Sequence, residues 1–203
     1  MNYQILVNKN NPLNKTYIPN DLVDANSKYR NNIKVNKEAL TSFNKMKYDM
    51  HLLGYDIDIM SGYRDYSYQE KIYNKSLYER GYTYTVRSIA KPGTSEHQTG
   101  LAIDICIYKN DKVYIEHEII NSEELQFLKN NAYKYGFILR YPEEKEDITG
   151  YNYEPWHYRY VGIDLATYLF KNNITLEEYY QSNSKKLEKQ QQNQIIFIKE
   201  AKI

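Results

Sequence analysis

Apolar side chains recur every three or four positions at Leu40, Phe43, Met46, Met50 and Leu53, which predicts an amphipathic helix over residues 36–53. Gly54 follows as a residue able to end that helix. From Tyr55 to Ile59 apolar residues alternate with Asp, the pattern of a half-buried strand, and Ser61-Gly62 then turns the chain. Asp65 is placed to cap a second helix that runs to Arg80 and stops at Gly81. The Ile-rich run Leu101 to Tyr108 predicts a strand, joined through Lys109-Asn110-Asp111 to a hairpin partner at 112–116. Asn121 with Glu124 has the spacing of a capping box, ahead of a helix face at Leu125, Leu128, Ala132 and Tyr135 that Gly136 ends. Strands are predicted at Phe137–Tyr141 and 156–161, a helix at 163–171, and a short last helix capped by Thr175 and Glu178.

The stretches between these elements are polar. Residues 1–35 predict an extended arm punctuated by Pro12 and Pro19, 85–100 an irregular loop and 142–152 a polar loop. Hairpins mixed with helices, and no internal repeat, make the fold class α+β: one domain with a small antiparallel sheet flanked by helices. The expected domain is 1–181 including the arm, and 182–203 is a Lys-, Gln- and Glu-rich tail that can be helical.

Composition narrows the class. The chain has 203 residues, 41% hydrophobic and 26% charged, which suits one water-exposed globular domain. A formal net charge of +1 argues against nucleic acid or an anionic membrane as the main partner. No apolar run is long enough to span a bilayer, which needs about 20 residues. The first residues lack the basic and apolar regions of a signal peptide, so the chain as written is expected in the cytoplasm, although a truncated form of an exported protein would read the same way. A single cysteine, Cys106, excludes an intramolecular disulfide. A monomer is expected. The 24 tyrosines either line a polar cleft or reflect drift toward Tyr, Asn and Lys.

The chemistry is concentrated around two of four histidines. In Ser95-Glu96-His97-Gln98-Thr99-Gly100-Leu101-Ala102-Ile103-Asp104, strand alternation puts Ala102, Asp104 and Cys106 on one face. A carboxylate there needs a cation or strong donors, because burying it alone is costly. His97, across the turn, could share that cation. In Glu154-Pro155-Trp156-His157, Pro155 holds Glu154 extended and stiffens a segment presenting a carboxylate and an imidazole. Two imidazoles and one carboxylate, with one carboxylate spare, match a catalytic zinc site of three protein ligands and a water. Glu154 would then serve as general base. Each motif alone reads equally well as a satisfied core polar group or a structural histidine.

Together these residues resemble the zinc D-alanyl-D-alanine carboxypeptidases of the VanY and VanXY type. The family pattern S-x-H-x-x-G-x-A-x-D is present at Ser95, His97, Gly100, Ala102 and Asp104, and E-x-W-H at Glu154, Trp156 and His157. Ser61-Gly62-Tyr63-Arg64 with Gln69, Tyr135-Gly136-Phe137, Arg140-Tyr141, Ile148-Thr149-Gly150 and Arg159-Tyr160-Val161-Gly162 also match, over roughly residues 5–181. The resemblance implies one Zn2+ on His97, Asp104 and His157, in a cleft over the sheet, with Glu154 as base. It implies that Arg64 meets the scissile carbonyl or the substrate carboxylate and that Gln69 and Ser95 hydrogen-bond the peptide. Tyr63 is a weaker pocket candidate, and Trp156 either walls the pocket or packs. The implied partners are peptidoglycan stem peptides or their precursors.

Three activities share this scaffold: removal of a terminal D-Ala as a D,D-carboxypeptidase, L,D-carboxypeptidase action on tetrapeptide stems, and D-Ala-D-Ala dipeptidase action. Outside enzymes, a cell-wall binding module on the same fold and a structural zinc protein remain, the latter needing Cys106 as fourth ligand. His51 and His117 are expected at the surface, Cys106 in the core, and the Glu143–Asp147 run in a solvated loop or at the cleft rim. Glu96 either orients His97 or is a solvated carboxylate.

Overall fold

The structure is a computed structural model of the chain, and the described residues are 2–185. The first helix, α1 (Lys37–His51), starts one residue later than expected because Asn36 is its N-cap, its side chain accepting from the backbone N–H groups of Glu38 and Ala39. Phe43, Met46 and Met50 point inward and are almost fully buried, whereas Leu53, assigned to the same face by its spacing, lies beyond the helix end and is 58% exposed.

Ahead of α1, the arm contains a ribbon that the sequence did not predict. Strands β1 (Leu22–Asp24) and β2 (Lys34–Asn36) pair antiparallel with Val23 opposite Val35. The main sheet is antiparallel throughout. Strand β3 (Asp56–Ser61) pairs with β4 (Ala102–Lys109), which pairs with β7 (His157–Tyr160), which pairs with β6 (Phe137–Leu139); β5 (Lys112–Tyr114) extends β4 as a hairpin. Ile103, Ile105 and Ile107 of β4 join Phe43, Met46 and Met50 in one core. Burying each such side chain stabilises the fold by roughly 1.5–3 kcal/mol. The opposite face of β4 carries Ala102, Asp104 and Cys106.

Helix α2 (Tyr66–Ser88) is capped by Asp65, and its first segment stops at Gly81, both as expected. Gly81 takes the non-helical φ 79° and ψ 174°, and a second helical segment follows it to Ser88, reaching into the stretch expected to be an irregular loop from residue 85. The Ser76 and Thr85 hydroxyls meet at 2.8 Å across the kink, and Thr85 also donates to the Gly81 carbonyl, which ties the two halves together. The next helix, α3 (Glu123–Asn131), is capped by Ser122, whose hydroxyl accepts from the Leu125 N–H, rather than by Asn121. A single helical turn, α4 (Glu146–Thr149), lies within the expected polar loop, and α5 (Ile163–Asn172) follows β7. Residues 176–185 are helical, opened by the reciprocal Thr175 and Glu178 cap, with no break at 182. The rest of the expected tail, 186–203, lies outside the described residues. Among the described residues no helix is long and apolar enough to cross a membrane.

Two features of β3 aim the chain at the region where function is expected. The ladder with β4 shifts register between Ile59 and Ser61, so the strand end bends toward β2. There Gly62 packs so tightly that a Cβ would fall 2.3 Å from the Lys34 carbonyl oxygen. Gly62→Ala is therefore expected to push β2 and β3 apart, destabilising the protein by about 1–3 kcal/mol, as overpacking typically does. Urea denaturation checks this, and an unchanged midpoint would show that the contact is slack.

Candidate active site

The antiparallel register of β4 and β7 sets Asp104 directly opposite His157. His97 arrives from a 3-10 turn, Glu96–Thr99, that Gly100 ends in the left-handed region at φ 71°. Its position is fixed from two sides. His97 Nδ1 lies 2.6 Å from the Gly62 carbonyl, and the Arg64 N–H donates to the His97 carbonyl at 3.2 Å. Donating Nδ1–H to Gly62 leaves Nε2 as the free ring nitrogen of the neutral imidazole.

That Nε2 is 3.3 Å from Asp104 Oδ2, and His157 Nδ1 is 3.2 Å from Asp104 Oδ1. The two imidazoles meet edge to face with centroids 4.9 Å apart. Ligand atoms of His97, Asp104 and His157 all fall within 4.8 Å of one another, the one such cluster among the described residues. His97 Nε2 and Asp104 Oδ1 are buried without a hydrogen-bond partner. Buried polar atoms rarely go unpaired, so this convergence of unpaired donor atoms fits a cation. Two imidazoles with a carboxylate suit zinc. Cys106 is not part of the cluster; it sits opposite Asp58 on β3, its thiol 3.5 Å from the Asp58 carbonyl.

Charge is balanced tightly around this point. Burial would raise the Asp104 carboxyl, but His97 and His157 hold it well below the usual carboxylate range. Burial, reinforced by Arg64, pushes His97 down to about 4. His157 goes the other way, up to about 9, because Asp104 and Glu96 outweigh its burial. Glu154 Oε2 lies 3.6 Å from His157 Nδ1, and the Glu154 N–H is anchored to the Tyr141 carbonyl. Burial, helped by the like charge of Asp104, pushes Glu154 up to about 7 against the pull of His157 and Arg64. A divalent cation beside it would draw it back toward the carboxylate, the form that can accept a proton at neutral pH.

A small cleft, partly open to solvent, lies over these groups. Arg64, Gln69, Ser95, Tyr141, Tyr151 and Glu154 line it together with the two histidines. Arg64 reaches within 3.8 Å of Asp104 Oδ2 and keeps a buried Nε without a partner. Gln69 donates to the Ala90 carbonyl, which leaves its Oε1 unpaired. Trp156 is partly buried against the main core, with its ring edge-to-face on His117 at 5.4 Å, and Tyr63 is half-buried; neither lines the cleft. His51 and His117 are both exposed.

Glu96 departs from both expectations. It is 1% exposed, and it faces His157 rather than His97. Arg140 and Arg159 each donate to its Oε1, at 2.8 and 2.7 Å, and hold it well below the carboxylate range despite burial. Arg140 also binds Glu177 through both terminal nitrogens, and Glu177 accepts from Asn8. The sequence assigned no individual role to Arg140, Arg159, Glu177, Tyr141 or Tyr151. The available signal was the rarity of arginine in short, otherwise apolar strands, as in Phe137–Leu139 followed by Arg140.

Cys106 shows how dry this face is. Its thiol is fully buried, and burial followed by the Asp58 charge pushes it up to about 12. The thiolate is the reactive form, so Cys106 is expected to resist thiol reagents at neutral pH until the protein unfolds. Labelling with and without denaturant, read by mass spectrometry, checks this; labelling of the native protein would contradict it.

Fold and site together define an α+β protein with a buried His, Asp, His cluster, flanked by a carboxylate and open to a small cleft. Residues 32–163 match the VanY family, described as D-alanyl-D-alanine carboxypeptidase, and the chain belongs to that family. The bifunctional D-Ala-D-Ala dipeptidase and D-Ala-D-Ala carboxypeptidase VanXYC of Enterococcus gallinarum is 38% identical over 182 residues, covering 89% of this chain and 94% of that protein. The LD-carboxypeptidase LdcB superposes with a TM-score of 0.79 at 41% identity, over 87% of this chain and 84% of that one. The vancomycin resistance D,D-pentapeptidase VanY, as a Glu-to-Ala mutant in complex with Zn(II), gives a TM-score of 0.77 at 33% identity, over 89% of this chain and 99% of that one.

Proposed function

We propose that this chain is a zinc-dependent D,D-carboxypeptidase that removes the terminal D-Ala from peptidoglycan stem peptides or their precursors. The observation that carries the reading is the meeting of His97, Asp104 and His157 donor atoms within 4.8 Å of one another, beside the half-buried carboxylate of Glu154. His97, Asp104 and His157 would hold the zinc. Zinc at such a site supplies Lewis acidity, polarising a carbonyl and making water acidic near neutral pH.

The remaining work falls to side chains. Glu154 takes a proton from the attacking water and returns it to the leaving amine. Arg64, with an unpaired buried Nε, supplies a fixed positive charge for the substrate carboxylate or the developing oxyanion. Gln69 Oε1 and the Ser95 hydroxyl can hydrogen-bond the peptide.

A second reading, L,D-carboxypeptidase action on tetrapeptide stems, is favoured by the likeness to LdcB, whose identity of 41% exceeds that of the D,D-pentapeptidase at 33%. Digestion of synthetic penta- and tetrapeptide stems, followed by mass spectrometry, separates them. The proposal predicts loss of D-Ala from the pentapeptide. Loss from the tetrapeptide alone would overturn it in favour of the second reading.

A further inference from the structure

The two histidines of the site are held by different partners. His97 rests on a neutral backbone carbonyl, that of Gly62. His157 Nε2, on the side of the ring away from Asp104, lies 3.8 Å from Glu96 Oε2. The gap is longer than a hydrogen bond, and both atoms are buried with no hydrogen-bond partner, so each is the nearest charge partner the other has. The other oxygen of Glu96 is fully engaged by Arg140 and Arg159. The guanidinium pair therefore fixes the carboxylate with one oxygen aimed at the His157 ring.

We infer that Glu96 is a positioning residue that sets the proton of His157 on Nε2 and so turns Nδ1 toward the metal. The inference rests on His157 being a ligand, as in the proposed function. A carboxylate can only accept hydrogen bonds, so it stabilises the Nε2–H form of a neutral imidazole. In that form the lone pair lies on Nδ1, which is the nitrogen 3.2 Å from Asp104 Oδ1 and 3.6 Å from Glu154 Oε2. A negative partner on the far nitrogen also makes the ligating nitrogen a better electron donor. The Tyr141 ring, 4.8 Å from the imidazole, limits how far it can rotate. Arg159 is in turn held by the Tyr3 and Ile5 carbonyls, so the clamp behind Glu96 is anchored in the N-terminal arm.

The test compares zinc dissociation constants of the full wild-type chain, Glu96→Gln and Glu177→Gln, measured by competition with a chromophoric chelator. Glu96→Gln keeps the volume and removes the charge, and it is expected to weaken zinc binding by about 10–100-fold, the usual range for such outer partners. Glu177→Gln disturbs the same arginine without facing His157, so it should lower the melting temperature and leave zinc affinity unchanged. Equal zinc affinity in Glu96→Gln and wild type, or equal loss in both variants, overturns the positioning role. If Glu96→Gln does not fold, nitrogen-15 NMR of the zinc-loaded wild type decides: a proton on His157 Nε2 supports the role and a proton on Nδ1 overturns it. Failure of the wild type to bind zinc would instead remove the proposed site itself.

Discussion

Glu154→Gln is expected to lower kcat by about 10²–10⁴-fold, the range associated with a positioned general base. Zinc content and KM should stay close to wild type, because Glu154 is not among the clustered donor atoms of His97, Asp104 and His157. The change is nearly isosteric, and the side chain it alters is only 15% exposed, so solvent cannot easily replace its proton transfer. Its N–H is anchored on the Tyr141 carbonyl and Pro155 follows it, so the segment has two restraints that do not depend on the side chain. Steady-state kinetics with metal analysis of the same sample gives the answer. Wild-type kcat in a zinc-loaded variant would remove Glu154 as base, and loss of zinc would make it a ligand instead.

Arg140→Met is expected to cost about 3–5 kcal/mol of stability, the loss typical of breaking a buried ion pair from one side. The side chain is completely buried, and it is bonded to Glu96 and to both oxygens of Glu177. Removing it leaves the Glu177 carboxylate without its cation and Glu96 with Arg159 alone. At about 2–4 °C per kcal/mol for a protein of this size, the melting temperature should fall by roughly 6–20 °C. Replacing Arg140 and Glu177 together with apolar residues should recover part of the loss, because no orphaned charge then remains on that side. Thermal and chemical denaturation of the single and double variants measure both effects. A single variant as stable as wild type would show that water reaches this network.

The strongest periodicities were the most legible parts of the fold. Helix α1 and strand β4 each carry a run long enough for the period of side-chain burial to stand out, at Leu40 to Met50 and at Ile103 to Ile107. The ribbon β1–β2 was not legible because its strands have three residues each, too few to alternate visibly. The helical segment beyond Gly81 was not legible for a different reason. Gly81 is non-helical, as a stop signal should be, and the Ser76–Thr85 contact that ties the second segment to the first joins residues nine apart, beyond any helical spacing.

The same division runs through the site. His97 and Asp104 sit on one local motif and Glu154 and His157 on another, so residue chemistry suggested each half. Their union depends on the β4–β7 register that sets Asp104 against His157, and nothing in either local spacing encodes that register. The charge network was less visible still. Glu96, Arg140, Arg159 and Glu177 come from four separate segments, and an isolated Glu next to His97 looks the same on paper whether it is solvated or clamped by two guanidinium groups.

Metal restoration on a pentapeptide stem tests the central claim most directly. The full chain is stripped with a chelator, then titrated with Zn2+, while release of D-Ala is followed by mass spectrometry. The site predicts no release from the stripped protein, and activity that returns linearly and levels off at one zinc per chain. Undiminished release by the stripped protein, or none at any zinc level from a sample that binds the metal, would contradict it.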